Sequence, residues 1–348
     1  MSNDRVFTRL NKVLLIYTGG TIGMGLNPRT NALEPLDFDH LISNLPEFSC
    51  LQTDVDVYQF NEPIDSSDMS PRKWAQLVRI ISKQYDQYDG FVILHGTDTM
   101  AYSALSFLLE NLTKPVIFTG SQLPVGQLRT DGKENLLTSI ELASAHDEEG
   151  HPLVPEVCIY FNGHLLRGNR STKQNTEGFN AFDTFNYPHL CDVGVTFNFN
   201  THYILKPDYN SPMIPHTAMD PNVVVFSIFP GIQESIVRHV LESPELRGIV
   251  MRSFGSGNAP QKPWLLRLLK DASLRGVTIV NITQCISGSV EMGRYDAGYQ
   301  LKEAGVVSGY DSTVESAVTK LMYLQAKYTD NNLIRSNMTR CLCGEMTK

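Results

Sequence analysis

Two threonine-rich clusters, Thr18-Gly19-Gly20-Thr21-Ile22-Gly23 and His95-Gly96-Thr97-Asp98-Thr99, carry the residue types best suited to chemistry. Each follows a short apolar run, and in open α/β sheets ligands bind beyond the carboxyl ends of the strands. The first cluster is not a Walker phosphate loop, because no Gly-Lys-Ser/Thr follows it. It is a poor dinucleotide fingerprint too: counting from Gly23, Gly25 fits the second glycine, but Pro28 takes the third position. Two readings stay open. It is either a tight βα turn, or a turn in which Gly19 and Gly20 admit a substrate close to the backbone and present Thr21 at the sheet edge. In the second cluster, Thr97 and Asp98 suit a nucleophile and an orienting acid, while Asp98 could equally cap a helix expected near Ala101–Leu112. His95 resembles the base of a triad, but with no partner in the sequence it reads better as a hydrogen-bonded structural histidine. No G-x-S-x-G elbow occurs, which disfavours the common α/β serine esterases.

A threonine hydroxyl is a weak nucleophile and needs a base beside it. A lysine can serve once it is neutral, which takes burial or nearby cations. Lys173 in Arg167-Gly-Asn-Arg-Ser-Thr-Lys173 stands near Arg167 and Arg170. From the residues alone, a solvated basic loop explains that segment as well.

The elements that must hold these groups are visible as short apolar runs. They are Val13–Tyr17, Phe91–Leu94, Pro115–Phe118, Val157–Phe161, Val223–Phe229, Gly248–Met251 and Val277–Ile282. Unbroken runs of four to seven residues indicate strands buried on both faces, as in a parallel sheet. Helical spacing alternates with them: Trp74, Leu77, Val78 and Ile81 follow the Ser70-Pro71 start signal. Val314, Ala317, Val318 and Leu321 repeat the spacing after a cap at Asp311 or Ser312. Leu105, Leu108 and Leu109, then Leu136, Leu137 and Ile140, mark two more. The expected fold class is therefore α/β with two domains: a larger N-terminal, mainly parallel sheet flanked by helices, and a smaller C-terminal α/β domain. The prolines and turn formers of residues 206–220 predict a linker between domains at 1–205 and 221–348.

Composition narrows the function classes. The chain has 348 residues, with a formal net charge of −8 and 19% charged residues. That acidity excludes an ordinary nucleic-acid footprint, and no apolar run reaches the roughly 18–20 residues of a membrane span. The opening Met1-Ser-Asn-Asp-Arg lacks the pattern of a secretory leader. Cys50, Cys158, Cys191, Cys285, Cys341 and Cys343 form no C-x-x-C pair and no finger spacing, so reduced thiols, no metal site and a cytoplasmic location are expected.

Taken together, Thr18-Gly-Gly-Thr-Ile-Gly, Asp65-Ser-Ser-Asp-Met and Asp89-Gly-Phe-Val-Ile-Leu-His-Gly-Thr-Asp-Thr-Met resemble the bacterial L-asparaginases. The likeness continues through Arg167-Gly-Asn-Arg-Ser-Thr-Lys, Arg252-Ser-Phe-Gly-Ser-Gly-Asn-Ala-Pro and Val277-Thr-Ile-Val-Asn-Ile-Thr-Gln-Cys, and it favours the cytosolic type I branch. The resemblance implies a cofactor-free asparagine amidohydrolase with Thr21 as primary nucleophile. It implies that Thr97, Asp98 and Lys173 form a triad-like group. Ser66 would hold the substrate's α-carboxylate and Asp98 its ammonium, with Gly20, Ser67 and Gly96 also against the substrate. It places Asn258 in a neighbouring subunit's site, implying a homodimer or homotetramer. A second, regulatory asparagine would involve Thr172, Arg252 and Cys285. One departure is plain: many relatives carry a tyrosine on the segment after the first motif, and Leu33 stands there in this chain. The Gly, Asn and Pro content around it still suits a mobile lid. Three rivals accompany this reading: a broad-specificity glutaminase-asparaginase, the amidase subunit of a tRNA-dependent amidotransferase, and a non-catalytic asparagine sensor.

Overall fold

The apolar runs become strands, and their order sets where the loops meet. In the computed structural model, residues 10–26, 29–30, 33–35, 45–102, 105–293 and 296–347 are described. The first sheet contains β1 (Lys12–Tyr17), β2 (Asp54–Gln59), β3 (Gly90–Leu94), β4 (Val116–Thr119), β5 (Val157–Phe161), β6 (His164–Arg167), β7 (Cys191–Val193) and β8 (Phe197–Phe199). Their spatial order is β8-β7-β6-β5-β4-β3-β1-β2. The pairs from β2 to β5 are parallel, and those from β5 to β8 are antiparallel. The sheet is thus mostly parallel, as the buried runs predict, with an antiparallel edge built from shorter strands. A second sheet, β9 (Val223–Ser227), β10 (Gly248–Ser253), β11 (Thr278–Thr283) and β12 (Val306–Ser308), is parallel throughout.

Helices cover both faces. Val13, Leu15 and Tyr17 pack with Leu136 and Ile140 of α2 (Gly132–Ser144) on one side of the first sheet. Leu14 and Ile16 point the other way, into a core with Trp74, Leu77, Val78 and Ile81 of α1 (Pro71–Gln84). Helices α3 (Glu234–Leu241), α4 (Pro263–Leu274) and α5 (Asp296–Glu303) accompany the second sheet. Helix α6 (Val314–Lys327) precedes α7 (Asn331–Met338). The core that holds Leu14 also includes Ala317, Leu321 and Leu324 of α6 and Val250, Val280 and Ile282 of the second sheet. One apolar core therefore joins both sheets through α6.

Two local expectations need correcting. The stretch 101–112 is not one helix. A 3-10 turn over Thr97–Tyr102 leads to a short helix at Leu105–Leu108, and Leu109–Glu110 then turns extended to pair with Ile214–Pro215. The second pairing removes the backbone that the helix would need. The cap of α6 is Thr313, not Asp311 or Ser312; its hydroxyl accepts from the Ser316 N–H at 3.1 Å. Asp311 is taken by Arg170 instead. The stretch 206–220 contains no helix and is tied to residues 108–111, with Asn111 Nδ2 donating to the Asp208 and Ser211 carbonyls and the His216 N–H to the Leu108 carbonyl.

Candidate active site

In the parallel part of the sheet, β1 has β2 on one side and β3 on the other. The loops after β1 and β3 therefore part company at this point, the switch crevice where α/β sheets bind ligands. Both threonine clusters lie there. Thr18 Oγ1 donates to the Leu94 carbonyl at 2.7 Å, fastening the end of β1 to that of β3. Gly20 follows at φ +95°, and a Cβ there would stand 2.6 Å from the Gly96 nitrogen. A Cβ on Gly96 would in turn meet Ser66 Oγ at 2.5 Å. Only glycine permits this contact of three loops, and it sets Thr21, Thr97 and Ser66 side by side.

Thr21 opens a single 3-10 turn over Thr21–Gly23, backed by the buried Tyr17, whose hydroxyl donates to the Gly23 carbonyl. Burial pushes the Tyr17 phenol up to about 12, so it remains a neutral donor. Beyond it, Met24–Leu26 and Leu33–Pro35 pair as an antiparallel hairpin. Asn31 and Ala32 of the expected lid lie outside the described residues, as does the Leu33 side chain.

Ser66 is buried at the start of a turn whose cap, Asp65, accepts from the Ser67 N–H and hydroxyl, both at 2.9 Å. The exposed Ser67 side chain is thus committed to Asp65. Thr99 Oγ1 donates to the Ser66 carbonyl at 2.7 Å, tying the β2 loop to the Thr97–Tyr102 turn. His95 is buried, with its ring edge-on to Phe118 and Nδ1 2.6 Å from the Gly96 carbonyl. Burial lowers its pKa to about 4. It is a structural histidine that holds the Gly96 loop.

Lys173 sits on the two-residue strand Thr172–Lys173, paired with Phe182–Asp183. Its Nζ donates to Thr97 Oγ1 at 2.8 Å and to Asp98 Oδ1 at 2.7 Å. The lysine side chain is only 17% accessible, whereas Asp98 is 65% exposed, which leaves its carboxylate open to a ligand. The two nearby arginines do not supply free positive charge to Lys173. Arg167 is buried in a fork with Glu156 at 2.6 and 2.9 Å, and Arg170 pairs with Asp311 at 2.8 Å. Both guanidinium groups lie over the Tyr187 ring. The segment is a buried clamp rather than a solvated basic loop.

That clamp closes on a part of the chain with no counterpart in the motif reading. Asn169 Nδ2 donates to the Cys343 carbonyl at 2.9 Å and Arg170 Nε to the Gly344 carbonyl at 2.7 Å. Residues 341–347 are themselves pinned by the buried Glu345, which pairs with the equally buried Lys320 at 2.6 Å. Burial alone would raise the Glu345 carboxyl; the Lys320 charge and the Leu342 and Cys343 N–H donors outweigh it and lower the pKa.

The remaining candidates divide. Asn258 lies on the turn after β10, where its backbone exchanges hydrogen bonds with Phe254. Thr172 Oγ1 bonds Glu315 Oε1 at 2.6 Å, on the first turn of α6. Burial raises the Glu315 carboxyl against the opposing pull of Thr172 and the Arg252 charge. Arg252 Nε and Glu315 Oε2 are both buried without a hydrogen-bond partner among the described residues. Cys285 is exposed, with its N–H on Thr283 Oγ1. Among the described residues, none of its hydrogen bonds reaches the Thr172–Glu315 pair. Glu315 itself was invisible to sequence reasoning, since a first-turn glutamate is an ordinary helix feature.

A mostly parallel sheet covered by helices on both faces, a polar switch crevice with two threonines and a lysine–aspartate pair, and a second all-parallel sheet define a two-sheet α/β amidohydrolase type. Comparison with known proteins agrees. Residues 12–205 match the family described as Asparaginase, N-terminal, and residues 222–338 the Glutaminase/Asparaginase C-terminal domain. The chain belongs to the asparaginase family. It is 42% identical to L-asparaginase 1 of Escherichia coli K12 over 96% of this chain and 98% of that one. A mouse 60 kDa lysophospholipase is 39% identical over 97% of this chain, which spans 62% of that longer protein. Among solved structures, L-asparaginase I from Vibrio cholerae superposes with a TM-score of 0.88 and 40% identity, covering 98% of this chain and 100% of its own.

Proposed function

We propose that the chain hydrolyses L-asparagine to aspartate and ammonia through a threonine nucleophile. The observation that carries this reading is the Lys173 ammonium bridging Thr97 Oγ1 and Asp98 Oδ1 beside the Thr21 turn. Thr21 Oγ attacks the side-chain amide carbon, its proton passes to the leaving nitrogen, and ammonia departs to leave an aspartyl ester; water then cleaves the ester and restores the hydroxyl. Backbone N–H groups of the Thr97–Asp98 turn suit the oxyanion, each such donor typically lowering the barrier by about 2.7–4 kcal/mol. Ser66, with Ser67, Gly20 and Gly96 around it, takes the α-carboxylate, and the open carboxylate of Asp98 takes the ammonium. Lys173, once neutral, takes the Thr21 proton through Thr97 and returns it to the leaving nitrogen.

The wider reading follows the same site. The chain divides at 206–220, in line with family matches that end at 205 and resume at 222. Asn258 completes a neighbouring subunit's site, making the working enzyme a homodimer or homotetramer, with asparagine rather than nucleic acid or membrane as partner. No described helix is long and apolar enough to cross a membrane, and the cytoplasm is the proposed location. Regulation by a second asparagine centres on Thr172 and Arg252, whose unpartnered Nε suits a carboxylate, with Cys285 at the margin. Glu315 then links that pocket to α6.

One experiment tests these claims: ammonia release from asparagine and glutamine across concentration. Wild type, Thr21→Val, Thr97→Val and Arg252→Ala are compared. The expected outcome is fast asparagine turnover, sigmoidal in wild type and hyperbolic in Arg252→Ala, with both threonine variants at least 100-fold slower. Comparable glutamine turnover would assign the broad-specificity enzyme, and asparagine binding without turnover would assign a sensor.

A further inference from the structure

Outside the switch crevice, two histidines and an aspartate converge at the antiparallel edge of the first sheet. His164 lies on β6, Asp192 on β7, and His189 on the loop before β7. Both rings aim Nδ1 at one oxygen: His164 Nδ1 is 2.8 Å and His189 Nδ1 3.0 Å from Asp192 Oδ1. The three potential ligand atoms lie within 4.8 Å of one another. His189 turns its other nitrogen, Nε2, to Asp183 Oδ1 at 2.9 Å.

We propose that His164, His189 and Asp192 form a binding site for a divalent transition-metal ion of the Zn²⁺ type, with Asp183 as the outer partner that orients His189. The donor set is the kind such ions take, imidazole nitrogen with a carboxylate, leaving a fourth position for water. Ligand atoms around a tetrahedral ion at about 2.0–2.1 Å stand roughly 3.3 Å apart, so Asp192 Oδ1 need draw back from the two ring nitrogens, now at 2.8 and 3.0 Å, by only a few tenths of an ångström. The Asp183 contact supplies the carboxylate–histidine–metal arrangement that fixes which ring nitrogen is free to ligate. All three ligands are half-buried. The other candidate group, Asp147, Glu149 and His151, is mostly exposed and lies within one surface loop.

Position gives the site a use. Asp183 is in register with Thr172, one residue from Lys173, in the two-strand pairing that carries the lysine. A metal held by His189 would draw Asp183 and its strand toward the sheet edge and so brace the lysine's hairpin. Sequence spacing conceals the site because His164 is 25 residues from His189, and only the β6–β7 pairing, Asp192 against His164, joins them.

The site does not depend on the asparaginase reading, because the test reads metal. The chelator-treated full chain is titrated with Zn²⁺ alone by calorimetry, and bound metal is counted after gel filtration. One equivalent is expected. His164→Gln and His189→Gln should each weaken it at least 100-fold. Asp183→Asn, which leaves the three ligands in place, should weaken it about 10–100-fold and serves if a histidine variant does not fold. Amide exchange across residues 172–183 should slow when zinc is added. Lack of a saturable site, or binding that survives in the double histidine variant, would overturn the proposal. So would binding lost in Cys50→Ser/Cys285→Ser but kept in the histidine variants.

Discussion

His95 acts through the backbone it holds, and its chemistry can be read from stability rather than turnover. The ring is buried, neutral and bonded to the Gly96 carbonyl, with its pKa lowered to about 4 by burial. The unfolded chain takes up this proton near pH 6.5 and the folded one only near pH 4. Between those values the unfolded state binds more protons, so stability falls as pH falls through the window, by about 3 kcal/mol from this group. In His95→Leu the stability curve between pH 6.5 and 4 should lose a slope of about one proton, measured by denaturant midpoints at several pH values. A slope equal to wild type would place the acid lability elsewhere. At this scale the sequence was most legible where glycines and hydroxyls follow strands, as in the Thr18 and His95 clusters. It was illegible for Glu315 and Tyr17, because a helical glutamate and a strand tyrosine carry no mark of their partners until the chain is folded.

Among elements, the sequence disclosed those whose apolar faces are continuous. Residues 13–17, 91–94 and 157–161 form strands buried on both sides, and α1 follows its i, i+3, i+4, i+7 stripe. It misled at 101–112, where a leucine-rich stretch is divided among a 3-10 turn, a short helix and a strand. There the pairing with residues 214–215 overrides local propensity. It was silent on residues 341–347, whose few apolar positions show no period, although they clamp Arg167, Asn169 and Arg170. Glu345→Gln tests that clamp. Removing one partner strands the Lys320 charge in a dry setting and should cost about 3–5 kcal/mol. The variant's thermal midpoint should fall, with turnover dropping at temperatures well below it, because Lys173 follows the released segment. A stable variant with normal turnover would mean the tail does not position the lysine.

For the molecule as a whole, the expectation of two α/β units meets a core that crosses between them. Leu14 and Ile16 of the first sheet share one apolar cluster with Leu321 of α6 and Val280 of the second. Shared burial of this kind couples the parts when they unfold. The chain's two tryptophans allow a direct reading, since Trp74 lies on α1 and Trp264 on α4. Fluorescence melts of Trp74→Phe and Trp264→Phe should coincide within a degree or two. Two separate midpoints would show the sheets melting independently. Neither the joining helix nor the shared core was legible beforehand, because periodicity names the buried face of a helix but not the sheet it will meet.

The grip of Gly344 on Arg170 spans 174 residues. A ribosome adding about 5–20 residues per second makes the turn roughly 9–35 s before it makes the carbonyl that receives it. The clamp on Asn169 and Arg170, a few residues before Lys173, therefore closes only once residues 343–344 have been made, long after the first sheet's strands are complete.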